Sequence, residues 1–211
     1  MKKIFTVILT LFMIAGCSNK DNFNVIPNKI NPTDNAANTS PINSFNLDNY
    51  MNREDVQYID LRSGSMILQE GYVAGFKFVP YYSIIASFTS NDTLYQMKTT
   101  TDKEGNSYYA GQIGGFVAQY EESQSIIESI FDKNKYIFLL SQGGSESAYV
   151  INLLIQLGYD GNLLYNVGGV SNSEGIASYK SIDTNKYYVS GIGNYGVTAT
   201  YDFLKDLTPI N

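Results

Sequence analysis

The chain has 211 residues, 14 Lys and Arg against 20 Asp and Glu, a single cysteine and no histidine. Without histidine it lacks both the commonest metal ligand and the usual general base near neutral pH, and one cysteine permits no disulfide within the chain. The acidic balance, with no basic run or stripe, argues against nucleic acid and anionic lipid headgroups as partners.

The N-terminus reads as a leader. Met1-Lys2-Lys3 is basic, residues 4–15 are almost unbroken apolar, and Ile14-Ala15-Gly16-Cys17 ends in small residues before the cysteine. That order of segments predicts a secretory signal peptide over residues 1–16. The apolar run falls well short of the roughly 20 residues that a membrane-crossing helix needs. A cysteine placed directly after the small residues resembles the lipobox of bacterial lipoproteins. The resemblance implies cleavage before Cys17, a lipid on its thiol as the link to the membrane, and a position on the outer face of the cell membrane. A lipidated Cys17 leaves the mature domain no thiolate nucleophile and no sulfur ligand.

Residues 17–44 are rich in asparagine, hold Pro27, Pro32 and Pro41, and show no apolar periodicity. This composition predicts a flexible linker, holding a domain on the order of 30 Å from the lipid. Residues 45–211 suffice for one domain with its own core.

Within that domain, residues 47–53 predict a short helix with Asn46 as N-cap. Val56-Gln57-Tyr58-Ile59-Asp60-Leu61 reads as a strand, and Phe76-Lys77-Phe78-Val79 as a second one stopped by Pro80. Residues 88–115 break the alternation, and 93–98 and 107–110 flank a turn-like 102–106, which predicts an inserted hairpin. Ile126, Ile127, Ile130 and Phe131 have the spacing of an amphipathic helix over 121–131. Tyr136-Ile137-Phe138-Leu139-Leu140 is a continuous apolar run, as in a strand buried on both faces. Ser141-Gln142-Gly143-Gly144-Ser145-Glu146-Ser147 then forms a small loop, 148–157 a helix ended by Gly158, and 163–167 another strand. Strands alternating with helices predict an α/β domain with a mainly parallel central sheet and helices on both faces.

Near the end, Gly191-Ile192-Gly193-Asn194-Tyr195-Gly196 fits G-x-G-x-x-G, between a strand-like 186–190 and a helix over 198–207. The dinucleotide fingerprint also needs an acidic residue on a second strand about 20 residues further on. The sequence reaches only Asn211. These glycines are read as backbone features, and no cofactor and no metal is expected.

The order of elements resembles the rhodanese (sulfurtransferase) family over roughly residues 46–170. Ile59-Asp60-Leu61-Arg62 is similar to the family's strand ending in Asp-x-Arg. Glu70-Gly71-Tyr72-Val73-Ala74-Gly75-Phe76-Lys77-Phe78-Val79-Pro80 looks like its G-H-I-x-G-A-x-x-I-P segment, with tyrosine at the histidine position. Residues 137–147 resemble its strand and active-site loop, and Gly158-Tyr159 and Gly168-Gly169 match later landmarks. The resemblance implies a single rhodanese-like domain, with Asp60 and Arg62 near a loop that cradles an anion on backbone N–H groups. In active members a cysteine opens that loop and carries sulfur as a persulfide. Here Ser141 stands at the cysteine position and Glu146 where arginine is common. A serine cannot form a persulfide, and a carboxylate repels an anion. The expectation is therefore a domain without sulfurtransferase activity that binds a small anion or a protein. The alternative is an enzyme of the rhodanese/phosphatase-like superfamily with altered chemistry at Ser141, which would need a base within hydrogen-bond reach.

Overall fold

The structure, a computed structural model, describes residues 24–88, 92–101, 107–109, 115–171, 175–193 and 201–210. The signal peptide over 1–16 and Cys17 lie outside these residues. β1 (Val56–Asp60) leads into α1 (Gly64–Glu70), capped by Ser63, whose hydroxyl accepts the Met66 N–H at 3.3 Å. Two short strands follow, β2 (Tyr72–Val73) and β3 (Lys77–Phe78), then a single π-helical turn over Tyr81–Ile85 and β4 (Ala86–Ser87). The inserted region carries β5 (Tyr95–Met97), β6 (Thr99–Thr101), β7 (Ser107–Tyr109) and β8 (Phe116–Ala118). After it come α2 (Ser123–Ile130), β9 (Tyr136–Ser141), α3 (Ser145–Gln156), β10 (Leu164–Gly169) and β11 (Tyr188–Val189).

The molecule is an α/β domain. Its central sheet has four parallel strands in the order β10, β9, β1, β3. The two-residue period of a strand sorts the side chains between two cores. Ile59, Ile137, Leu139 and Leu164 join one cluster with Ile127 of α2 and Val150, Ile151, Leu153 and Leu154 of α3. Tyr58, Phe138, Leu140, Tyr165 and Val167 face the other side. Their alternation explains why the run from Tyr136 to Leu140 is apolar at every position: β9 is covered on both faces.

The two faces of the sheet are covered differently, with 3-10 turns at Leu47–Tyr50 and Tyr179–Ser181 on the face opposite α2 and α3. α2 and α3 pack on the same face, while Ile26, Ile42, Leu47, Met51 and Tyr179 cover the other. The flexible linker expected over 17–44 is corrected for its described part, 24–44. Ile26, Ala37 and Ile42 are buried, and the Tyr165 hydroxyl donates to the Pro27 carbonyl at 2.9 Å. Asn35 Nδ2 donates to Asn152 Oδ1 of α3 at 2.7 Å, and Lys29 Nζ to the Gly161 carbonyl at 3.2 Å. The asparagines that suggested disorder instead build turns. Asn31 Oδ1 accepts the Thr33 N–H at 3.1 Å and Asn43 Oδ1 the Phe45 N–H at 3.1 Å, each a side chain standing in for a backbone turn. The domain thus begins by Asn24, not near residue 45.

Smaller adjustments follow the same logic. The helix expected over 47–53 is a single 3-10 turn, Leu47–Tyr50, and the Asn46 side-chain Oδ1 accepts the Asn43 N–H at 2.9 Å instead of capping it. α3 begins three residues before the expected 148, so Ser145, Glu146 and Ser147 form its first turn. It closes with the Tyr159 N–H on the Leu154 carbonyl and the Gly158 N–H on the Ile155 carbonyl, both at 3.0 Å, a Schellman ending.

The insertion carries antiparallel pairing as expected, but the strand opposite 107–109 is 99–101, not 93–98. β6 pairs antiparallel with β7, and β5 with β8, while the turn at 102–106 lies outside the described residues. β11 pairs antiparallel with β2, and Gly191 then runs so close to α1 that a Cβ there would sit 2.3 Å from the Gln69 carbonyl oxygen. That close approach is a backbone reason for the first glycine of the G-x-G-x-x-G run. Of the helix expected over 198–207, a 3-10 segment, Asp202–Asp206, is present, and 194–200 lie outside the described residues.

Candidate functional site

The carboxyl ends of β1 and β9 lie side by side, and the residues that follow them meet there. Asp60 ends β1 and is fully buried, as is Arg62 two residues on. The Asp60 carboxylate accepts the Arg62 backbone N–H at 3.0 Å, Nε at 3.0 Å and Nη2 at 2.7 Å. Arg62 Nη2 also donates to the Gly71 carbonyl at 2.9 Å, which ties the end of β1 to the end of α1. Nη1 makes no hydrogen bond. It lies 3.8 Å from Glu70 Oε2, an ion-pair distance only.

Glu70 is the hub that sequence reasoning missed. Its Oε1 accepts Gln142 Nε2 at 3.2 Å and its Oε2 accepts the Ser171 hydroxyl at 2.6 Å. One partly exposed carboxylate therefore links α1, the loop after β9 and the segment after β10.

Ser141 is the last residue of β9 and is buried. Its Oγ accepts the Gly144 N–H at 2.8 Å, closing the tight turn Gln142-Gly143-Gly144. Gly144 has φ +106°, the left-handed region that favours glycine, and a Cβ on it would come within 3.2 Å of the Ala37 methyl. Asn166, buried in β10, locks this turn from outside. Its Nδ2 donates to the Gly144 carbonyl and to the Asn35 carbonyl, each at 2.8 Å, and its Oδ1 accepts the Gly168 N–H at 3.1 Å. A lone amide inside an apolar strand was the available signal for it.

Beside the turn is a pocket of about 180 Å³, lined among others by Leu61, Arg62, Met66, Tyr82, Gln142 and Glu146. Three of its lining residues each bury a polar atom without a hydrogen-bond partner: Arg62 Nη1, Gln142 Oε1 and Glu146 Oε2. Ser147 Oγ is buried and unpaired as well, but does not line the pocket. Nor does Ser141. Ser145 and Gly144 instead face a second pocket of about 410 Å³, together with Asn35, Asn38, Tyr149 and Asn166.

Glu146 sits in the first turn of α3, where the helix dipole favours a negative charge. Its charge is felt by the pocket wall. Burial first, then Glu146 and Tyr149, push the Tyr82 phenol up to about 12. Burial raises Tyr81 further, with Tyr82, Tyr149 and Glu146 adding to it. Two carboxylates, Asp60 and Glu70, thus flank the Arg62 guanidinium, and a third, Glu146, lines the same pocket.

Of the residues singled out from the sequence, Arg62, Gln142 and Glu146 line this pocket, and Asp60 joins them through its ion pair with Arg62. Ser141 adjoins it with its Oγ engaged by the backbone, and among the described residues no hydrogen bond joins Ser141 to a carboxylate or a lysine. The chain matches no protein-family model, no curated protein and no solved structure, which leaves the geometry of this loop and pocket to carry the functional reading.

Proposed function

We propose that the chain is a membrane-anchored extracytoplasmic lipoprotein whose rhodanese-like domain has no sulfurtransferase activity and works as a binding module. The observation that carries this reading is the state of Ser141: a buried hydroxyl accepting the Gly144 N–H, where a sulfur-transferring loop needs a thiolate open to its donor. The parallel order β10, β9, β1, β3 and the buried Asp60–Arg62 pair at the loop support the rhodanese-like reading, and Glu146 in place of an anion-attracting side chain supports the loss of the chemistry.

The test is a thiosulfate:cyanide assay on the purified protein, which should give no turnover above a blank. Turnover that vanishes in Ser141→Ala would overturn the reading. The anchor is tested separately: labelled fatty acid should enter the wild type and not Cys17→Ser, and equal labelling of the two would remove it.

The loop can also be asked how much of an anion cradle it keeps. In Ser141→Cys the Gly144 N–H and the start of α3 favour a thiolate, while burial and Glu146 oppose it. Adding Glu146→Arg should therefore lower the thiol pKa below that of the single variant and below the usual value of about 8.5. Alkylation rates across pH on both variants measure this. Identical pKa values would mean that Glu146 has no electrostatic hold on position 141.

A further inference from the structure

The pocket beside the turn holds unmet hydrogen-bonding capacity of both kinds, and its charges do not balance. Arg62 Nη1 is a buried donor on a side chain with no solvent exposure, and it has nothing to donate to. Gln142 Oε1 and Glu146 Oε2 are buried acceptors with nothing to accept. Buried groups of this kind are normally satisfied, so three on residues that line one pocket point to a place for a ligand. The charge of that ligand follows from which partners are already matched. Arg62 is answered by Asp60 at 2.7 Å and again by Glu70 at 3.8 Å. Glu146 has no cationic partner at its buried oxygen. The uncompensated charge in the pocket is therefore negative.

We infer that this pocket binds a small organic cation, a primary ammonium compound that also carries a neutral oxygen on a short apolar body. The inference rests on reading the loop as a binding site and names its ligand class. The ammonium group donates to Glu146 Oε2 and Gln142 Oε1, and the neutral oxygen accepts from Arg62 Nη1. The apolar body lies against Leu61 and Met66, and Tyr82 adds to the lining an aromatic ring, a group that attracts cations. The pocket, about 180 Å³, is small beside ordinary drug-sized sites, which restricts the ligand to a compact molecule. A carboxylate or thiosulfate anion would instead meet Glu146 unpaired.

The test uses the full chain in non-ionic detergent and a matched set of probes titrated calorimetrically. 2-Amino-1-phenylethanol carries the ammonium and the hydroxyl, 1-phenyl-1,2-ethanediol is its neutral counterpart, and mandelate is the anion of similar shape. Thiosulfate is the fourth probe. The amine should bind at least tenfold more tightly than the diol or either anion, and Glu146→Gln should erase that preference while leaving the circular dichroism spectrum unchanged. Tighter binding of mandelate or thiosulfate would overturn the cation assignment and still leave a binding site. Equal affinity for amine and diol, or no binding by any probe at millimolar concentration, would also overturn it. Failure of the underlying reading looks different, because it appears as sulfur-transfer turnover.

Discussion

Arg62→Met should destabilise the protein by about 3–5 kcal/mol in urea unfolding, more than any change on the exposed face of α2. The reason is the partner left behind. Asp60 has no solvent exposure and directs its side-chain oxygens to Arg62, whose backbone N–H, Nε and Nη2 all donate to them. Methionine preserves most of the stem's packing, so the loss reports a buried carboxylate stripped of its counter-charge and of two of those donors. The Gly71 carbonyl loses its donor at the same time. Asp60→Asn combined with Arg62→Met should recover part of the loss, because the group left behind is then neutral. A cost under about 1 kcal/mol for the single change would show that water replaces the guanidinium, and that the pair contributes little to holding the loop ends together.

The second large effect lies at high pH. The chain has 18 tyrosines, and several are core residues whose hydroxyls serve as donors. Tyr159 donates to the Phe131 carbonyl at 2.8 Å and Tyr165 to the Pro27 carbonyl at 2.9 Å, while Tyr179 donates to Asp48. Burial pushes Tyr95, Tyr159 and Tyr165 each up to about 12, and Tyr81 and Tyr179 higher still. A phenol whose folded pKa is raised stabilises the fold fully below the unfolded value of about 10, and that contribution is lost as the pH climbs through the folded value. Tyr95, Tyr159 and Tyr165 are each under a tenth exposed, and each accounts for on the order of 2 kcal/mol by pH 12. Together these losses match the 5–15 kcal/mol total stability of an ordinary domain. The protein should therefore unfold cooperatively between about pH 10 and 12. Tyrosinate absorbance should rise in two steps, exposed phenols first near pH 10 and the core phenols together with the collapse of circular dichroism. A single absorbance step near pH 10 with the spectrum of the fold intact would contradict it.

Both effects depend on residues that the sequence exposes to different degrees. β9 was readable because a strand covered on both faces leaves an unbroken apolar run, and α2 because Ile127 and Ile130 keep a helical spacing. Asp60 and Arg62 were singled out differently, through the resemblance of Ile59-Asp60-Leu61-Arg62 to a strand ending in Asp-x-Arg. What stayed hidden has a common cause. The segment from Asn24 to Ser44 is held by asparagine side chains that bond to nearby backbone and by three apolar residues at irregular positions, so no period announces it. Glu70 ends α1 in sequence, and only the fold brings it to Gln142 and Ser171. The early start of α3 follows from Gly144, whose left-handed backbone lets Ser145 enter the helix at once, where the family-like spacing suggested a longer loop.

The packed N-terminal segment sets a limit on what a lipid at Cys17 could do. Seven peptide steps separate Cys17 from Asn24, where the described fold begins, and seven steps fully extended reach at most about 25 Å. A coil of 27 residues would have let the domain wander and sample the bilayer from any side. If Cys17 carries the proposed lipid, Asn24 stays within the reach of those seven steps from the membrane surface. Under the proposed anchoring, inserting a flexible stretch after Cys17 would lengthen that reach without altering a single contact in the site.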